Sequence, residues 1–206
     1  VTEATLIEIL SHHLPEKAIG YCYSLWQRQP FTLRLANARH SKAGDFSVRQ
    51  KKYVISVNHD LNPYQFLITY IHEAAHLYVH RQFGRNVNPH GRIWKNEFKK
   101  LLQPLLTPEI FPPRLLQCLV AHMQKPRAST FADAWLTSEL RQYDPPSKKG
   151  TALDTLDEGS LFKLRGRCFK KGTLRKTRFL CVELSTNRNY LVPRLALVEQ
   201  IEPAMI

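Results

Sequence analysis

The apolar positions follow two periods along the chain. Leu6, Ile7, Ile9, Leu10 and Leu14 recur at helical spacing, and after Pro15 so do Ala18, Ile19, Cys22, Leu25 and Trp26, until Pro30 ends the pattern. FTLRLA (Phe31 to Ala36) and YVISV (Tyr53 to Val57) alternate instead and are rich in β-formers, with HSKAGDFSVR between them supplying a turn and a third short strand. A small antiparallel sheet is predicted there. Asn62 then stands as an N-cap with Pro63 at the first helical position and Gln65 at the third, and Gly84 stands where a left-handed C-cap is expected, which predicts a helix from Pro63 to Phe83. At about 100° per residue, Gln65, Thr69, His72, Glu73, His76 and His80 share one arc of that helix and apolar residues fill the rest. Such a helix is buried on most sides and keeps one polar stripe.

Helical spacing continues in GRIWKNEFKKLLQPLL, FPPRLLQCLVAHM and FADAWLTSELRQY, and the helices between Pro112 and Tyr143 are either a lid or packing. YDPPSKKGTALD is a linker by composition, with Pro145, Pro146, Ser147 and Gly150 in six residues. Beyond it SLFKLRG, RFLCVEL and NYLVPRL are short alternating β runs. The organisation expected is therefore α+β: a sheet-and-helix domain over residues 1–144, a linker over 145–159, and a basic β-rich module over 160–206.

Composition changes this picture in two places. The chain of 206 residues has a formal charge of +13, and the stretch from Leu161 to Arg194 holds ten cations against one acid, Glu183. Lys163, Arg165, Arg167, Lys170, Lys171, Arg175, Lys176 and Arg178 are its densest part and the candidate contacts to a nucleic acid. Phe162, Phe169, Phe179 and Tyr190 are interleaved with them, either as surface rings that stack on bases or as the small core of the module. No run of eighteen apolar residues exists, and the N-terminal VTEATLIEIL carries acids where a signal peptide needs cations, so a cytoplasmic protein without a membrane partner is expected. The four cysteines, Cys22, Cys118, Cys168 and Cys181, form no CxxC pair and read as reduced, mostly buried thiols.

The polar stripe carries the chemistry. His72, Glu73 and His76 spell HExxH: residues four apart stack on one helix face, so two imidazoles can hold one Zn²⁺ while the glutamate between them takes a proton from water. A histidine pair on an otherwise apolar helix would be a costly buried stripe if it bound nothing. A catalytic site needs a third protein ligand. His80 shares the face but lies about 12 Å along the axis from His72, too far for one ion, whereas His90 follows Gly84 and can fold back from a loop; His90 is preferred.

HExxH followed by His-Gly-x-x-Trp, here His90 to Trp94, together with HSKAGDF and ISVNHDLNP upstream, resembles the SprT-like (Spartan-type) zinc metalloproteases, over roughly Ala36 to Leu102. That family includes proteases that remove proteins crosslinked to DNA. The resemblance implies a minimal zincin-like fold, His72, His76 and His90 as ligands of a single zinc, Glu73 as general base, a protein substrate and DNA as a partner. Many relatives end in a four-cysteine zinc ribbon; Cys168 and Cys181 lack neighbouring cysteines, so one zinc is expected. Arg39, His40 and Tyr78 are candidates to steady an oxyanion, and Tyr53 to Val57 is a candidate edge strand for aligning a substrate. The rival reading is a nucleic-acid-binding protein with a non-catalytic zinc.

Overall fold

The computed structural model describes residues 3–39, 42–124, 126, 133–145 and 150–201. It is an α+β protein of two compact units, Val1–Asp144 and Pro145–Ile206. His40 and the first two residues of the helix expected from Phe131 lie outside the described residues.

In the first unit α1 (Glu3–His13) and α2 (Ile19–Arg28) precede a three-stranded sheet of β1 (Thr32–Ala36), β2 (Gly44–Arg49) and β3 (Lys52–Asn58). The sheet is mixed, not antiparallel: β2 and β3 form a hairpin across Arg49 and Lys52, but β1 runs parallel to β3 on its other side. The expected edge strand is thus the central one. Burial explains the order, because β3 places Val54, Ile55, Val57 and Asn58 out of solvent and takes the doubly covered position, leaving the edges to the more exposed β1 and β2. Asn58 holds the end of β3 to the connection between β1 and β2, donating from Nδ2 to the carbonyls of Arg39 and Lys42 at 3.0 and 3.1 Å.

α3 (Pro63–Phe83) begins and ends where its caps require. The Oδ1 of Asn62 accepts from the Gln65 N–H at 2.9 Å, while its Nδ2 donates to Leu140 O and Asp144 Oδ1, so one buried amide both caps α3 and ties it to the end of α6 (Ala134–Arg141). Tyr70 and Tyr78 donate their hydroxyls to the carbonyls of Cys22 and Leu25, fixing α3 against α2. α4 (Arg92–Leu102) and α5 (Pro113–Gln124) complete the unit. Leu115, Cys118 and Leu119 of α5 and Leu136 and Leu140 of α6 are buried in the same core as α3, so these helices are packing elements. No helix among the described residues is long and apolar enough to cross a membrane.

The second unit is a six-stranded sheet, ordered β4-β9-β5-β6-β7-β8, of β4 (Thr151–Ala152), β5 (Leu161–Leu164), β6 (Arg167–Arg175), β7 (Arg178–Glu183), β8 (Asn189–Pro193) and β9 (Leu197–Ile201), paired antiparallel. Part of the stretch expected as linker belongs to it: Thr151 and Ala152 pair with β9, and Leu153 and Leu156 are buried in its core. A Pro- and Gly-rich composition sets turns but does not prevent the apolar residues that follow from packing.

Within this module the buried Glu183 accepts hydrogen bonds from Arg167 and Thr186, which hold its carboxyl down at about 2. A depressed carboxylate stabilises the fold above its unfolded value of about 4.3, and that contribution is lost as the pH falls through the folded value. Acidification from about pH 4.3 to 2 is therefore expected to lower the melting temperature of the chain, and Glu183→Gln, followed by circular dichroism, is expected to flatten that dependence; an unchanged slope would refute this account.

Candidate metal centre

The polar stripe of α3 divides in two. Gln65, Thr69 and Glu73 are buried, whereas His72 and His76 are half-buried beside the turn that leads into α4. His90 closes this group. It sits at φ 60°, in the left-handed region where histidine is uncommon but tolerated, within a turn in which the Gly91 N–H donates to Asn88 O at 3.0 Å. The left-handed residue turns the chain back and Gly91 then starts α4.

The three imidazoles converge through one kind of atom. His90 Nε2 lies 3.1 Å from His72 Nε2 and 3.0 Å from His76 Nε2, and the three ligand atoms lie within 4.8 Å of one another. Bonds of about 2.05 Å to a tetrahedral zinc imply nitrogens about 3.3 Å apart, so the separations of His90 from His72 and His76 need to widen by only roughly 0.2–0.3 Å to admit the ion. Protonation agrees. Burial first, then the neighbouring His76 and His90, press the pKa of His72 down to about 3; burial and His90 press His76 down to about 4. His90 is lowered by burial and by Lys95. Neutral imidazoles are the ligating form, and three acceptor-capable nitrogens aimed at one point fit a cation better than they fit one another.

Trp94 forms the floor. Its indole is 1% exposed and its ring centroid lies 4.5, 5.1 and 4.7 Å from those of His72, His76 and His90, with Phe98 stacked behind it at 5.0 Å. Sequence periodicity places Trp94 in the core of α4 and does not assign it to the site. Its position four residues after His90 was the available signal, because it sets both on one end of the helix.

Glu73 lies on the other side of the stripe, against β2, and accepts a hydrogen bond from the Phe46 backbone N–H. Burial, then Asp45, pushes its carboxyl up to about 8, against the opposing pull of Phe46, Lys42 and Arg39. A dication on the imidazoles would oppose that rise with its own charge.

The remaining sequence candidates are engaged elsewhere. His80 packs its ring on Phe46 and Tyr53, at centroid distances of 5.5 and 5.9 Å. Arg39 donates to Asn58 Oδ1 at 2.7 Å and Ser56 Oγ at 3.2 Å, bracing the loop, and the Tyr78 hydroxyl is bound to Leu25 O.

In the basic module, Lys163, Arg165, Arg167, Lys170, Arg175, Lys176 and Arg178 are exposed. Lys171 is not: it is 5% exposed, donates to Leu156 O and lies 4.0 Å from the Phe179 ring centroid. Strand alternation requires this, because Lys171 is two residues from the buried Phe169 and shares its face. Phe162, Phe169 and Phe179 are core residues, and Tyr190 is covered by Arg167, whose guanidinium lies 4.5 Å from its ring. The reading of these rings as a stacking surface is therefore corrected. Cys22, Cys118 and Cys181 are buried and Cys168 is half-buried, all unpaired.

Residues 16–110 match the model of the SprT-like family. No curated protein sequence and no solved structure matches the chain.

One zinc per chain is expected by elemental analysis. Trp94→Phe is expected to weaken zinc binding by about 10-fold or more, as loss of a ligand-orienting neighbour commonly does. Isothermal titration against an Ile93→Ala control, altered on the exposed side of α4, checks this; equal affinities would remove Trp94 from the site.

Proposed function

We propose, from the match of residues 16–110 to the model of the SprT-like family, that the chain is a zinc-dependent metalloprotease acting on proteins associated with or crosslinked to DNA. The observation that carries the reading is the convergence of three Nε2 atoms, with a buried carboxyl one residue from His72 on the same helix. His72, His76 and His90 would hold the zinc, which when bound supplies Lewis acidity toward a carbonyl and a water.

The chain's own residues do the rest. Glu73 takes the proton of the attacking water on a carboxylate oxygen and returns it to the departing amine nitrogen as the C–N bond breaks. A bound dication would lower the Glu73 carboxyl from its metal-free value, which favours the ionised form that accepts the proton. β2 is the sheet edge on the Glu73 side and offers backbone groups along which an extended substrate chain can align.

The basic module supports DNA as the partner, through phosphates and not through stacked rings. Its densest point is the β6–β7 hairpin end, where Arg175 and Arg178 stand directly opposite and Lys176 lies between them in the turn. Like charges facing across a hairpin destabilise it, and a phosphate backbone would offset that repulsion.

Two measurements test the proposal. Glu73→Gln is expected to bind one zinc yet lose at least about 100-fold in cleavage of a DNA-binding protein substrate; retained activity would favour a non-catalytic zinc. Replacing Arg175, Lys176 and Arg178 with Ser is expected to reduce the slope of log affinity for single-stranded DNA against log salt by about 2, from three lost phosphate contacts. Lys171→Met should leave that slope unchanged, and an equal effect from Lys171 would exclude this surface.

A further inference from the structure

Gly44, the first residue of β2, is buried and faces α3. A Cβ built on it would stand 2.6 Å from Thr69 Cγ2, 2.8 Å from Glu73 Cγ and 2.8 Å from Glu73 Oε1. Real side chains do not come so close, so any larger residue would displace one of these groups. The backbone of Gly44 is not in the left-handed region and any residue could adopt it. Space alone demands the glycine.

β2 cannot retreat to make that space. Gly44 is paired with Val57 of the central strand, the Asn58 N–H donates to Ala43 O at 2.9 Å, and Asn58 Nδ2 donates to Lys42 O. α3 is equally fixed, by the Asn62 cap and by Tyr70 and Tyr78. Two residues further along β2, Phe46 offers its N–H to Glu73. Among the described glycines, no other would bring a Cβ against a residue of the candidate metal centre.

We propose that Gly44 is a positioning residue: by bringing β2 against α3 it sets the Glu73 carboxyl between strand and helix, where the Phe46 N–H holds it. The role in turnover rests on the protease reading above; the steric role does not. In the absence of Gly44, the Glu73 side chain must swing away from Phe46 while the three imidazoles keep their places on α3 and at the α4 turn.

The test separates the two collisions. Thr69→Ala removes the Cγ2 contact, so in that background the closest contacts known for a Cβ at position 44 are the two with Glu73. Thermal unfolding of the metal-free chain is measured for Thr69→Ala with and without Gly44→Ala, and for the same pair carrying Glu73→Ala. Gly44→Ala is expected to lower the melting temperature by about 5 °C when Glu73 is present and by much less when it is Ala. Equal losses in both backgrounds would overturn the proposal. If the Glu73-containing variant fails to fold, recovery by Glu73→Ala supports it and failure to recover refutes it.

An activity arm uses zinc-loaded protein and β-casein with single-stranded DNA. Gly44→Ala in the Thr69→Ala background is expected to keep one zinc and lose at least about 10-fold in kcat, with KM within about twofold. If Glu73→Gln is inactive but this variant keeps full kcat, the positioning role fails and the protease reading stands. If Glu73→Gln is fully active, the protease reading fails while the unfolding cycle still decides whether Gly44 sets the place of Glu73.

Discussion

α3 must serve as the core of its unit and as the wall of its site, and the rest of the first unit is arranged around that constraint. A helix of 21 residues with twelve buried side chains needs neighbours on nearly every side. The sheet, α2, α4 and α6 supply them. Ala74 and Ala75 are fully buried and small enough to allow close approach, while Tyr70, Tyr78 and Asn62 satisfy their polar atoms on the backbones of neighbouring helices. This packing allows little play in the helix, and a histidine pair on a helix so held has little freedom to spread apart.

The same burial tunes the chemistry. It presses the imidazoles of His72 and His76 toward neutrality, the form that can bind a cation, and by the same cause lifts the carboxyl of Glu73. The third imidazole comes from outside the helix, at the cost of a left-handed residue at His90, and Trp94 backs all three rings. On the far side the approach of β2 is limited by the one residue without a side chain. Wall, floor and strand thus meet the stripe from three directions.

The β module shows the opposite economy of charge. Its inward face takes Phe162, Phe169 and Phe179, and also Lys171, whose ammonium is satisfied by the Leu156 carbonyl and the Phe179 ring. The other seven cations of the densest stretch remain outside, with Glu183 drawn inward to pair with Arg167. The outward face is thus strongly cationic, and the three phenylalanines are withdrawn from it.

Much of this was legible along the chain. The limits of α3, its cap at Asn62 and the alignment of His72, Glu73 and His76 are local matters, because hydrogen bonds within one helix and a fixed turn of about 100° per residue settle them. His90 was reachable by excluding His80 on length alone. Other features depended on contacts between distant segments. Whether β1 runs beside β2 or β3 is decided by which strand both helices and sheet bury, and alternation in one strand says nothing of its neighbour. The inward turn of Lys171 follows from its register with Phe169, and a count of cations cannot see register. The sequence by itself determined the main helices of the first unit, the HExxH face and the basic stretch, but not β4, β6 and β9 of the module. Tertiary structure alone decided that Trp94 also floors His72 and His76 and that Gly44 meets Glu73, because both are distances between residues far apart in the chain, set by close packing and not by period.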